Sequence, residues 1–87
     1  MKFSTLNRIE IALVEAVDDA RENHEKKNRE FADFCDELKR KYGEDLDIGD
    51  PTDRDRYFDM KLNAEIAGYS YNGYKAALAD FLDHDFS

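Results

Sequence analysis

Few residues in this chain have the types and spacing that chemistry requires. There is one cysteine, Cys35, and there are two histidines, His24 and His84. A nucleophilic site needs a cysteine or serine beside a base, with a third group orienting the base. His24 and Cys35 are eleven residues apart, which on a continuous helix puts them on one stripe but about 16 Å apart along its axis. They cannot meet within one chain. Cys35, set between Phe34 and Leu38 in an apolar pattern, reads as a small buried hydrophobe. His24 reads as a seam residue and His84 as part of a solvated tail.

Metal ligation fares no better. The clustered Cys and His ligands of a zinc site are absent. Asp45, Asp47, Asp50, Asp53 and Asp55 alternate densely, but a calcium-binding EF-hand loop wants glycine sixth and glutamate twelfth. Counting from Asp45, Gly49 is fifth and Arg56 is twelfth. The expectation is a chain with no catalytic residue, no metal and no cofactor, acting by binding.

Two groups of residues suit recognition. Glu44, Asp45, Asp47, Asp50, Asp53, Asp55 and Asp59 face only Arg54 and Arg56 in the same stretch. Such a run can be a solvated loop with a helix cap, or an electronegative surface for a basic partner. Glu15, Asp18, Asp19, Glu22 and Glu25 could extend it. The second group is Tyr69, Tyr71 and Tyr74 beside an Asn72-Gly73 pair, because tyrosine is enriched in interface hot spots and a turn can expose it.

Composition narrows the classes of partner. The 87 residues include 21 acidic and 13 basic ones, for a formal charge of -8. That balance repels phosphate backbones and anionic membrane surfaces, so neither nucleic acid nor membrane is an expected direct partner. Arg8, Glu10 and Glu15 interrupt any apolar stretch near the start, which argues against a signal peptide or a span. With one cysteine, a reducing compartment and a cytoplasmic location are expected. A chain this short buries only a little over 60 % of its unfolded surface. A partner or a second copy would help it fold.

The elements that must position these residues all read as helices. From Leu6 to Tyr42 there is neither Gly nor Pro. Leu6, Ile9, Leu13, Val17 and Ala20, then Phe31, Phe34, Cys35, Leu38 and Tyr42, trace one stripe at three- and four-residue steps. This predicts a helix over about 5–42, on the order of 54 Å long. Asn7 with Glu10 can cap it, and Gly43 can end it. Pairs at i,i+4, including Glu22 with Lys26, Glu25 with Arg29, Asp36 with Arg40 and Glu37 with Lys41, would support its polar middle. Residues 43–50 read as an acidic loop. Asp50-Pro51 starts a second helix over about 51–67, with Phe58, Leu62 and Ile66 as its inward stripe, Tyr57 and Met60 widening the face, and Gly68 as its stop. After a turn, a third helix covers about 73–84 and frays through Asp85 and Phe86.

The expected fold is therefore all-α: a single domain with a long N-terminal helix and a shorter C-terminal helical hairpin packed on it. The hairpin is too short to cover the whole long stripe. The remainder, at Leu13, Val17, His24, Phe31, Phe34 and Leu38, is expected to pair two copies as a homodimer. The function expected is inhibition or regulation of a nucleic-acid-handling protein with a basic surface, through mimicry of nucleic acid. Small phage-encoded anti-restriction and anti-CRISPR proteins, which act in the host cytoplasm, share this size, charge and helicity. The alternatives are an assembly protein acting through a coiled-coil-like long helix, and an immunity-type toxin inhibitor.

Overall fold

The computed structural model describes residues 3–84; Asp85 and Phe86, expected at the frayed end, lie outside them. The protein folds as two antiparallel α-helices, α1 (Phe3–Tyr42) and α2 (Pro51–Asp83). Together they form a rod measuring 60 × 19 × 15 Å. α1 runs unbroken through its polar stretch at 21–30, and the expected cap Asn7 lies inside it rather than at its start.

The connection uses the residues that the local signals single out. Gly43 takes a left-handed φ of +90°, and its N–H donates to the Lys39 carbonyl at 2.9 Å, which satisfies one of the last carbonyls of α1. At the other side of the loop, the Asp50 carboxylate accepts from the Thr52 N–H at 2.8 Å. Pro51 follows at the first helical position, where its missing N–H costs nothing. Between them Leu46 also takes a positive φ, 52°. For a leucine this is a sparsely populated conformation, held here while Leu46, Ile48, Tyr57 and Phe58 line one hollow.

Three helices were expected, and the described residues form two. The turn expected at residues 69–74 does not form, and α2 passes straight through Gly68 and Gly73. Each glycine costs a helix interior about 1 kcal/mol relative to alanine. The residues between them include no proline, and packing against α1 along the whole length offsets that local cost.

The face that α2 turns inward also differs from expectation. Ala64 and Ala67 are buried, and Tyr57, Met60, Gly68, Tyr71, Leu78 and Phe81 are half-buried. Phe58, Leu62 and Ile66, expected inside, are 57 %, 54 % and 52 % exposed. α2 thus has two apolar stripes, and the one that faces α1 is small at its middle, at Ala64, Ala67 and Gly68, with larger residues toward either end. Bulk on α1 explains the choice: Phe31, Phe34 and Leu38 near the loop and His24 further along need small residues opposite if the helix axes are to approach closely. The deepest core is Phe34, 4 % exposed, and Leu38, 2 % exposed.

Candidate functional site

The end of the rod at the loop is fastened by a cluster of polar side chains. Lys41 Nζ and Tyr42 Oη both donate to Asp53 Oδ2, each at 2.7 Å. The two donors hold the Asp53 carboxyl below the ordinary carboxylate range, and the same bonds raise the Lys41 ammonium. Arg56 lies over the Phe34 ring at 4.4 Å, and Phe31 stacks at an angle on Tyr57 with ring centroids 5.4 Å apart. In the middle of the rod His24 stacks on Tyr71, with centroids 5.7 Å apart, and Lys75 covers Tyr71. The Asn28 amide lies 3.2 Å from His24 Nε2.

These contacts determine which of the expected recognition residues are available. Asp50 caps α2 and Asp53 is tied to Lys41 and Tyr42, so both serve the hairpin itself. Glu44, Asp45, Asp47, Asp55 and Asp59 are exposed. Because α2 is continuous, the three tyrosines do not form one cluster. Tyr69 is 74 % exposed on the outside, Tyr71 is half-buried on His24, and Tyr74 is exposed at another angle.

The six residues expected to pair two copies are placed along α1 on the side of α2. Phe34 and Leu38 are buried there, His24 and Phe31 stack on Tyr71 and Tyr57 of the same chain, and Leu13 and Val17 are half-buried. The seam read as intermolecular is filled from within by α2.

Covering that seam turns the opposite side of α1 to solvent. Glu15, Asp18, Glu22 and Glu25 follow one another at steps of three and four residues, all exposed, and Asp33 and Asp36 continue the row beyond Arg29. Asp19 and Glu37 flank it. Between residues 15 and 25 the one basic side chain is Arg21, which pairs with Asp18 at 3.2 Å. The i,i+4 pairs expected along α1 are not closed among the described residues; the pairs on this helix are i,i+3, Asp18–Arg21 and Lys27–Glu30. Lys41, expected beside Glu37, reaches across the loop to Asp53 instead.

A groove of about 380 Å³ runs beside the row of contacts between the helices, with His24, Asn28 and Phe31 on one wall and Ala64, Gly68 and Tyr69 on the other. The small residues of α2 open it. Cys35 is half-buried; burial pushes its thiol up, with Lys39 acting the other way and Asp36 adding to the rise, which disfavours the thiolate. Among the described residues no group of His, Cys, Asp and Glu is arranged to hold a metal ion, and no helix is long and apolar enough to cross a membrane. No known protein family, curated protein or solved structure matches the chain.

Proposed function

We propose that this protein acts by binding, presenting the acidic outer face of α1 to a basic surface on a nucleic-acid-handling protein and thereby inhibiting or regulating it. The observation that carries this reading is the row Glu15, Asp18, Glu22 and Glu25. It lies on a continuous helix whose other side is covered by α2, so the four acids project from one exposed face, where Asp18 also pairs with Arg21. Successive members are about 4.5 to 6 Å apart along the axis. A row of acids at regular spacing on a narrow rod is the kind of surface that a groove built for a phosphate backbone attracts. A second group of exposed acids, Glu44, Asp45 and Asp47, lies in the loop at the far end, beyond the exposed Lys39, Arg40 and Lys41.

The test is capture on the tagged protein from a lysate of its source cells, with washes at low and high salt. It is paired with a variant carrying Glu15→Lys, Asp18→Lys, Glu22→Lys and Glu25→Lys. The expected result is a nucleic-acid-binding protein retained at low salt, released as the charges are screened beyond about 8 to 10 Å, and not retained by the variant. Retention by the variant as strong as that of the unaltered chain overturns the reading.

A further inference from the structure

The Asn72-Gly73 pair, expected as a turn, stands inside α2. Asn72 is the one asparagine of the chain followed by glycine; Asn7, Asn23, Asn28 and Asn63 precede Arg, His, Arg and Ala. We propose that Asn72 is the site of a spontaneous covalent change that α2 holds in check, released when the half of the hairpin carrying the termini opens. This inference does not depend on the role given to the acidic face of α1.

The chemistry needs nothing but water. The backbone nitrogen of Gly73 attacks Cγ of the Asn72 side-chain amide and closes a five-membered succinimide ring. The bond from Cγ to the side-chain nitrogen breaks, and that nitrogen leaves as ammonia with the proton from the Gly73 N–H. Water then opens the ring. Attack at Cγ restores the ordinary backbone, with an aspartate at 72. Attack at the backbone carbonyl carbon of residue 72 leaves the chain running through the former side chain, an isoaspartyl linkage with one extra backbone carbon. Either product carries one more negative charge. Glycine in the following position makes ring closure fast, since no β-carbon crowds the attacking nitrogen.

Two features of the fold govern the rate. Within α2 the Gly73 N–H belongs to the helical ladder, and a helical ψ of about −42° directs that nitrogen away from the Asn72 side chain. The ring cannot close there. The hold is nonetheless weak at this point. The buried residues among those described, Phe34, Leu38, Ala64 and Ala67, all lie on the loop side of Asn72. From Gly68 onward the described part of α2 is at most half-buried, at residues such as Tyr71 and Leu78, and no described residue of α1 before Phe34 is buried. Asn72 is exposed, no described residue hydrogen-bonds its amide, and Gly73 has open space where a β-carbon would stand. A segment with so few buried contacts opens at small cost, so the rate is set by how often it leaves the helix.

The change runs one way. In the isoaspartyl product the extra backbone carbon shifts every i→i−4 bond that spans it. α2 would divide near residue 72, into two pieces like those expected at about 51–67 and 73–84, and the groove wall formed by Gly68, Tyr69 and Asn72 opposite His24 would come apart.

The test follows the full chain in warm, mildly alkaline buffer by peptide mass spectrometry, with and without urea, for the unaltered protein, Gly73→Ala and Leu78→Ala. The expected result is conversion at Asn72 ahead of Asn7, Asn23, Asn28 and Asn63, at least about tenfold slower in the folded chain than in urea, and several-fold faster in folded Leu78→Ala. Gly73→Ala should all but abolish conversion even in urea, where the higher helix propensity of alanine no longer counts. Circular dichroism should show helix lost in the purified isoaspartyl form and kept in Asn72→Asp, which adds the charge without altering the backbone. Equal rates with and without urea, conversion at Asn72 no faster than at the other asparagines, no change with Leu78→Ala, or an isoaspartyl form as helical as Asn72→Asp overturns the inference.

Discussion

The imidazole of His24 covers Gly68 so closely that a β-carbon there would stand 3.1 Å from Cε1 and 3.4 Å from Nδ1. His24 is in turn fixed by stacking on Tyr71. The glycine is thus needed for the approach of the two helices at mid-rod, against its own helix propensity. Gly68→Leu should lower the thermal midpoint, although leucine is the better helix former. Combining it with His24→Ala should recover part of the loss. Urea unfolding of the four members of this cycle should show a coupling in the range of about 0.5 to 3 kcal/mol; simple additivity would mean that the ring and the glycine do not share space.

Truncation at the deepest point should be the most damaging single change. Leu38→Ala removes a side chain that is 2 % exposed, and such truncations cost about 2 to 5 kcal/mol, the lower part of that range applying where a thin core can close around the gap. The denaturation midpoint should fall by a large fraction of the total stability of so small a chain. The same change at Leu62, 54 % exposed, should leave the stability of a single chain nearly unaltered.

The Asp53 cluster makes stability depend on pH in two places. The Asp53 carboxyl is depressed by Lys41 and Tyr42, so its contribution is present above the ordinary carboxylate range near 4 and is lost as pH falls through the folded value. The Lys41 ammonium is raised, so its contribution is present below the ordinary lysine range near 10.4 and is lost as pH rises beyond it. Asp53→Asn should therefore be less stable than the unaltered chain at neutral pH, with the difference in thermal midpoint disappearing at strongly acidic pH. A difference that persists in acid would show that the carboxylate charge is not what matters.

The start of α2 depends on Asp50. Replacing it with alanine leaves the Thr52 N–H without its acceptor and should cost about 1 kcal/mol. Asp50→Ser, which restores an accepting oxygen, should recover most of that in thermal unfolding.

The helical class and the hairpin's turn were legible in the sequence, because Gly43 and the Asp50-Pro51 pair act through their own backbone and immediate neighbours. The continuity of α2 was not legible. Gly68 and Gly73 are local breakers, and what carries the helix through them is α1, many residues away in the chain. The inward face of α2 was misassigned for a related reason. Phe58, Leu62 and Ile66 make the plainer stripe at regular four-residue steps, but the closest approach to α1 takes Ala64, Ala67 and Gly68, with Tyr57 and Tyr71 stacked on Phe31 and His24 to either side. At the candidate site, the alternation of acids was plain, whereas the attachment of Asp53 to Lys41 and Tyr42 was hidden because the i,i+4 rule pairs Lys41 with Glu37.

The eight-residue loop joining α1 to α2 also sets an order of events. Lys41 and Asp53 are twelve residues apart, whereas His24 and Tyr71 are forty-seven apart, so contacts near the loop close small circuits first and those toward the termini close later. The hairpin should zip up from Asp53 and unzip from the end that holds both termini. Amide exchange would then slow steadily from Leu13 toward Leu38. The acids at 15, 18 and 22 sit in the turns that open most readily, so a partner that clamps them would slow exchange there while leaving the amides around Leu38 nearly unchanged.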